Sequence, residues 1–490
     1  MFSFSLLLVL SSICAEPFCH KEAQKAQNGF CRFFLSFLCF FVAKIRLVRL
    51  NRIDIKTGLA LLLLGCVSVV LYRFGVGASG VSGIRFFMKV AFIQSAIYLL
   101  AAWIVMRARP SSSTLLIAIA FAIVFRLSIL FAPPYLSDDI YRYVWDGRVQ
   151  AAGINPYRYI PAAPELAHLR DDAIYPKINR RDWAHTIYPP VAQVVFFVTT
   201  RISESVVWMK ATMLGFELVT IWAVAQLLTL LGRPRQLLLM YAWHPLVVWE
   251  IAGSGHVDAI AICFIALAFL AWQRRSNLCA GFMLACATLV KLFPLVLVPA
   301  MLKPGRWKIA AGFVTTIIVG YLGYLSVGPK AVLGEMPGYT QELGLISGQQ
   351  FYALSLARKL FGSELPSIAY IVFTGFVMGG IGLWVLVRGR SEDKLKHAML
   401  LATATTVLFA PHFSWYFCWL VYFLCFTPRL AIFYLTIASF LLYATWLGDS
   451  PDEMFVINSV IYLPSLLIGL VEFFWRPIVG AVRRVAVFAT

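Results

Sequence analysis

Residues 113–157 read STLLIAIAFAIVFRLSILFAPPYLSDDIYRYVWDGRVQAAGINPY. The first half, to about Pro134, is an apolar run of membrane-spanning length whose one ionisable residue is Arg126. The second half opens on two adjacent carboxylates, Asp138 and Asp139, and reads as a helix that Gly153 and Asn155-Pro156 stop. Ser137 is the expected N-cap, which puts both acids in the first turn, where the helix dipole favours them. On such a helix Asp139, Arg142, Tyr143 and Asp146 share one side, and Asp138, Tyr141, Trp145 and Arg148 share a neighbouring one. An isolated Asp pair at a helix start is more often a cap than a catalyst, but this pair stands at the mouth of a membrane segment.

Composition points the same way. Over 490 residues, 61% are hydrophobic, 15% aromatic and only 13% charged. Repeated apolar runs of spanning length then imply an all-α, polytopic transmembrane helical protein of about 12–14 spans, with the lipid bilayer as its solvent. The net charge of +19 does not imply nucleic acid, because the basic residues lie mainly in short gaps between apolar segments, which is a topology signal. The ten cysteines form neither a disulfide framework nor a metal-ligand spacing.

The N-terminal segment 1–43 carries an apolar stretch without the basic start of a secretory signal, and its role stays open. From Lys44 to Lys56 the chain has five basic residues and one acid, a cytoplasmic pattern. With that loop inside, spans near 57–72, 87–106 and 113–134 place an outer loop at about 135–189, holding seven basic and seven acidic residues. Further spans near 205–231, 236–252, 257–272, 278–291, 292–302 and 309–326 lead to a second outer loop at about 327–365. Spans near 366–387, 397–411, 414–427, 430–447 and 455–475 follow. The transmembrane domain thus covers 44–475, and 476–490 is a basic cytoplasmic tail.

This topology brings His256 and Asp258 of GSGHVD, Lys291 of VKLFP and His412 of APHFSWYF to the face that carries Asp138 and Asp139. Ionisable residues at the edge of a membrane segment are costly, so one extracytoplasmic site is the economical account of all of them. Deeper in the spans, Arg126 and Glu217 suggest a structural ion pair. Trp243-His244-Pro245 suggests a kink whose histidine refills a freed backbone group. In the first outer loop, aromatic rings among prolines offer sugar platforms, Tyr188 among them, and Asn179, Asp182 and His185 offer partners for hydroxyls. In the second, Phe351, Leu354 and Leu360 suggest an interfacial helix that sets Arg358 and Lys359 near headgroup phosphates.

The stretch SDDIYRYVWDGRVQAAGINPY, together with YPPVAQ, AGSGHVDAI and LVKLFPLVLVP, resembles the integral-membrane glycosyltransferases of the GT-C superfamily. The branch it most resembles includes the bacterial polyprenyl-phosphate-mannose-dependent mannosyltransferases, over roughly residues 57–475. The resemblance implies a multi-span helical fold of GT-C type in the inner (plasma) membrane and an acidic catalytic motif in the first extracytoplasmic loop. It also implies a polyprenyl-phosphate sugar donor and inversion at the anomeric carbon; it fixes neither the sugar nor the acceptor, for which mannose and a glycan or glycolipid are the expectations. The residues suit such chemistry independently. Attack by an acceptor hydroxyl needs a base, here Asp138 or its close rival Asp139. The departing phosphate needs positive charge, for which Lys291, His256 and Arg358 are the candidates. Tyr141, Arg142, Trp145, Asp258, Tyr188 and His412 are candidates for holding substrate. No cofactor is required by any ligand spacing, and a divalent cation at the paired acids stays open. A transporter or flippase of a lipid-linked or anionic substrate is the alternative, because it too would need polar residues in the membrane.

Overall fold

The computed structural model describes residues 52–76, 80–302, 306–335, 338, 351–362, 365–447 and 450–488. The N-terminal segment 1–43 and the part of the second loop between Gly338 and Phe351 lie outside the described residues. Every regular element among the described residues is helical. The long helices are α1 (Arg52–Gly75), α2 (Gly80–Arg107), α3 (Ser112–Leu130), then α4 (Asp139–Ala151), α5 (Pro190–Ile202) and α6 (Val206–Leu230). After a broken stretch come α7 (Asp258–Gln273), α8 (Asn277–Thr288) and α9 (Trp307–Leu322). The last group is α10 (Tyr352–Phe361), α11 (Ser367–Arg388), α12 (Lys394–Phe409), α13 (Cys418–Leu424), α14 (Leu430–Ala438) and α15 (Pro451–Phe488).

Among the described residues, seven helices are long and apolar enough to cross a membrane, and five shorter apolar ones accompany them. On α1 the division of faces is plain. Leu59, Leu63 and Val67 recur every four residues and are about half exposed, while Leu61, Val69 and Tyr72 are buried. An exposed apolar stripe of this kind is the surface a helix presents to lipid, so the chain is a multi-pass membrane protein.

Two expectations about spans are corrected. The segment 236–252 is not one continuous helix. It is a 3-10 turn (Arg235–Leu238), a short helix (Leu239–Ala242), a break at Trp243-His244, one more turn (Pro245–Val247) and a π-helical stretch (Val248–Gly253). Proline removes a backbone donor and breaks the ladder, and His244 compensates as expected: its Nδ1 accepts from the Leu246 amide at 3.3 Å and its Nε2 pairs with Thr436 Oγ1 at 3.0 Å. The helix α5 is an element that the expected spans do not include. Its 13 residues rise about 20 Å, too little to cross a hydrocarbon core of about 30 Å. It packs instead along α4. Gly147 makes that approach possible, because a Cβ there would lie 2.5 Å from the Phe196 carbonyl oxygen.

The second loop also differs. Phe351 and Leu354 do not face lipid; they are buried against Tyr370 of α11. Leu360 and Phe361 are the large hydrophobic residues of α10 that stay exposed, at 67% and 82%. Arg126 and Glu217 form the expected fully buried ion pair between α3 and α6, and Arg126 Nη1 also donates to the Ala122 and Ala242 carbonyls at 2.8 Å.

Candidate active site

The helix α4 starts one residue later than its sequence suggests. Asp138 is the residue before the first turn, and the Ser137 hydroxyl accepts from the Asp139 amide at 3.2 Å instead of capping the turn above. At the other end Gly153, with φ of +77°, lets the Ile154 amide reach back to the Val149 carbonyl at 3.2 Å. These ends fix α4 so that its first turn opens on a cavity of about 390 Å³.

Three anions and three cations line that cavity: Asp138, Asp139 and Glu335 against Arg142, Arg180 and Lys291. The aromatic side chains Tyr188, Phe413, Trp415, Tyr416 and Trp446 make up much of the rest of the wall. The two acids at its centre are held differently. Asp139 Oδ1 accepts from Asn179 Nδ2 at 2.9 Å, and its Oδ2 faces His256 Nδ1 at 3.9 Å. Asp138 is exposed to the cavity. Partial desolvation and the Asp139 carboxylate beside it push the Asp138 carboxyl above the usual carboxylate range, and Lys177 pulls it partly back.

Behind the wall stand His256 and Asp258. Asp258, nearly fully buried at the start of α7, accepts from Lys291 Nζ at 2.7 Å, and Lys291 lies 4.3 Å from the centre of the Tyr416 ring. Trp415 is sandwiched between Phe413, at 4.5 Å, and the His256 ring, at 4.1 Å. The turn that carries His256 depends on Gly255, whose φ is +78° and which sits against Ile140 of α4.

The sequence motifs acquire structural reasons here. Within α4, Arg142 Nε donates to Asp146 Oδ1 at 2.8 Å. The other Asp146 oxygen accepts from Thr186 and from Gln193 Nε2, at 2.9 Å for the latter. That buried knot ties α4 to the YPPVAQ stretch. The first free amides of α5 then donate to the Leu289 carbonyl, Val191 at 3.0 Å, just before Lys291. So Asp138 and Asp139, on one element, and Lys291, on another, are linked through YPPVAQ.

Of the candidates named from sequence, Asp138, Asp139, Arg142, Tyr188 and Lys291 line the cavity, with His256 and Asp258 directly behind it. Four lie elsewhere. Trp145 is 1% exposed and packs on Tyr175, while Tyr141 lies beneath Lys177, whose Nζ is 5.2 Å from its ring centre. His412 precedes the aromatic wall without lining it, and Arg358 donates from Nε and Nη2 to the Leu365 carbonyl at the end of α10. The sequence reading passed over Arg180, Glu335 and Trp446 as site residues. Arg180 takes a left-handed φ of +55°, and Glu335 accepts from the His185 amide at 3.2 Å across the two loops. Neither feature has a local sequence signature, although the density of rings in HFSWYF was a signal for the aromatic wall. Among the described residues no three His, Cys, Asp or Glu side chains converge as a metal-ligand set.

No curated protein matches the chain. Residues 61–303 match the family described as alpha-(1->6)-mannopyranosyltransferase, N-terminal domain. That match covers α4, the GSGHVD turn and Lys291 alike. Across those residues the chain is similar to this mannosyltransferase family, which supports a glycosyltransferase of the GT-C type.

Proposed function

We propose that the protein transfers mannose from a polyprenyl-phosphate carrier to an extracytoplasmic glycan or glycolipid acceptor, inverting the anomeric centre. The observation that carries this reading is the placement of Asp138, Asp139 and Lys291 around one cavity with aromatic walls. The acceptor oxygen attacks the anomeric carbon while the bond to the phosphate oxygen breaks, and the acceptor proton passes to a carboxylate. Asp138 is the base in this reading, because its carboxyl faces the cavity and its affinity for a proton is raised. Asp139, tethered by Asn179, orients the acceptor. The leaving phosphate takes up negative charge, and Lys291 with Arg180 and Arg142 supplies positive charge already in place to meet it. The rings of Trp415 and Tyr416 offer flat apolar faces against which a sugar can lie.

The test uses purified full-length protein in detergent, radiolabelled polyprenyl-phosphate-mannose and a membrane extract as the source of acceptor. Labelled product formed with release of polyprenyl phosphate, and abolished in Asp138→Asn/Asp139→Asn, is the expected result. Transfer that persists in the double variant would overturn the assignment of the acids. Labelled product from a nucleotide-linked mannose, with none from the lipid-linked donor, would overturn the donor.

A further inference from the structure

Behind the cavity lies a row of buried polar groups that sugar transfer does not directly use. Glu250 sits in the π-helical stretch with no exposure, and its two oxygens point in different directions. Oε1 accepts from the Tyr443 hydroxyl at 2.6 Å, and Oε2 faces His256 Nε2 at 3.4 Å. The imidazole is itself 1% exposed, and its other nitrogen faces Asp139 Oδ2. Neither Glu250 Oε2 nor His256 Nε2 has a hydrogen-bond partner elsewhere. Unpaired polar atoms at this depth are costly, so their facing one another calls for an explanation.

Hydrogen-bond polarity supplies one. A neutral imidazole donates from one nitrogen and accepts at the other, so its tautomer is set by what the far side offers. Asp139 needs a donor facing it, which places the proton on Nδ1 and leaves the Nε2 lone pair toward Glu250. Tyr443 donates to Oε1, so the acid proton of a neutral Glu250 belongs on Oε2, aimed at Nε2. The chain is then directional throughout: Tyr443 hydroxyl to Glu250 Oε1, Glu250 Oε2–H to Nε2, and Nδ1–H to Asp139. Distances of 3.4 and 3.9 Å are long for hydrogen bonds, and acid–base contacts of this sort commonly tighten only in the substrate complex. The remaining ionisable groups nearby are Asp258, Lys291, Tyr135 and Cys418.

We propose that Glu250, in its neutral acid form, and Tyr443 are positioning residues that hold His256 in the tautomer donating to Asp139, and so fix the orientation of the Asp139 carboxylate at the cavity wall. The proposal rests on the reading of Asp139 as the acid that orients the acceptor. Glutamine is the natural probe, since its carboxamide carries an acceptor for Tyr443 and a donor for Nε2, as neutral Glu250 does.

The experiment compares E250A, E250Q and Y443F with the unmodified full-length protein in detergent, measuring kcat and KM for polyprenyl-phosphate-mannose and, separately, the infrared C=O stretch of protonated carboxyl groups. A misplacement of about 1 Å costs about 100-fold in rate, so E250A is expected to lose kcat on that scale with KM for the donor within about twofold. E250Q is expected to recover at least tenfold of that loss, and Y443F to fall between the two. A protonated-carboxyl band present in the unmodified protein and missing from E250Q is the matching spectroscopic result. E250Q as impaired as E250A, or the absence of that band, overturns the proposal. If E250A does not fold, Y443F and E250Q carry the test. Failure of the unmodified protein to use the lipid-linked donor would count against the donor reading instead, and the infrared comparison would still decide the state of Glu250.

Discussion

Gly255→Ala tests whether the site depends on how closely the GSGHVD turn approaches α4. The backbone at Gly255 has φ of +78°, where an alanine costs about 1–2 kcal/mol. A Cβ there would also lie 2.5 Å from Ile140 Cδ1 and 3.0 Å from Lys210 Cγ. Ordinary carbon contacts are about 3.5–4.0 Å, so the turn and α4 must separate by about 1 Å, or Ile140 must leave its rotamer. Ile140 directly follows Asp139, and His256 directly follows Gly255, so the separation falls on the Asp139–His256 contact. Displacement on that scale costs about 100-fold in rate. Initial rates of mannosyl transfer, with thermal unfolding measured alongside, separate the two effects. Gly255→Ala should lower kcat by about that factor. Adding Ile140→Val removes the clashing Cδ1, at a stability cost of about 0.5–1.5 kcal/mol, and should return a substantial part of the rate without restoring the unfolding temperature. Gly255→Ala retaining kcat within twofold, or a double variant no faster than the single one, would refute the argument from close approach.

Asp138→Asn should reduce kcat by about 100- to 10,000-fold, the usual worth of a general base, without a matching loss of donor binding. Asp138 works as a base only when deprotonated and its carboxyl is raised, so kcat should fall as pH drops through a value above the ordinary aspartate figure of about 3.9. Lys177 opposes that rise, so Lys177→Met should move the acid limb of the pH–rate profile to higher pH, and a shift the other way would exclude Asp138 as its source. Lys291→Met strands the buried Asp258 carboxylate, and by urea unfolding should cost about 3–5 kcal/mol, which Lys291→Met/Asp258→Asn largely restores while transfer stays lost. Arg126→Met alone should destabilise by a similar about 3–5 kcal/mol, and Arg126→Met/Glu217→Leu should unfold much closer to the unmodified protein, with donor KM unchanged.

Much of this architecture is legible in the sequence because its physics is local or energetic. Apolar length marks the membrane helices, and the cost of an ionisable residue in an apolar segment picks out Arg126, Glu217, His256, Asp258 and Lys291 one at a time. What stays hidden is the pairing. Nothing within six residues of Lys291 indicates that Asp258 accepts from it, and nothing near Asp139 indicates that Asn179 holds it. Lys291 and Asp258 meet where two segments give up regular α-helix, the π-helical turn before Asp258 and the break after Thr288, and Asn179 reaches Asp139 from the irregular first loop. Hydropathy reads 236–252 as one continuous span, since a broken helix has the same composition as an intact one.

Trp145 and Tyr141 lie off the cavity because of the way α4 is enclosed. Reading α4 as a free amphipathic helix assigns function to whichever face carries aromatic and charged side chains. In the folded chain α4 is enclosed on several sides: α5 packs along it, the Gly255 turn touches Ile140, and Tyr175 and Lys177 of the first loop cover Trp145 and Tyr141. Only its first turn and Arg142 reach the cavity. A helix buried nearly all round can offer chemistry only at its end, and α4 carries its two adjacent acids there. The rest of SDDIYRYVWDGRVQ serves to hold that end still: Arg142 and Asp146 through the buried knot, Gly147 through contact with α5, and Arg148 through Asp171 and Glu204.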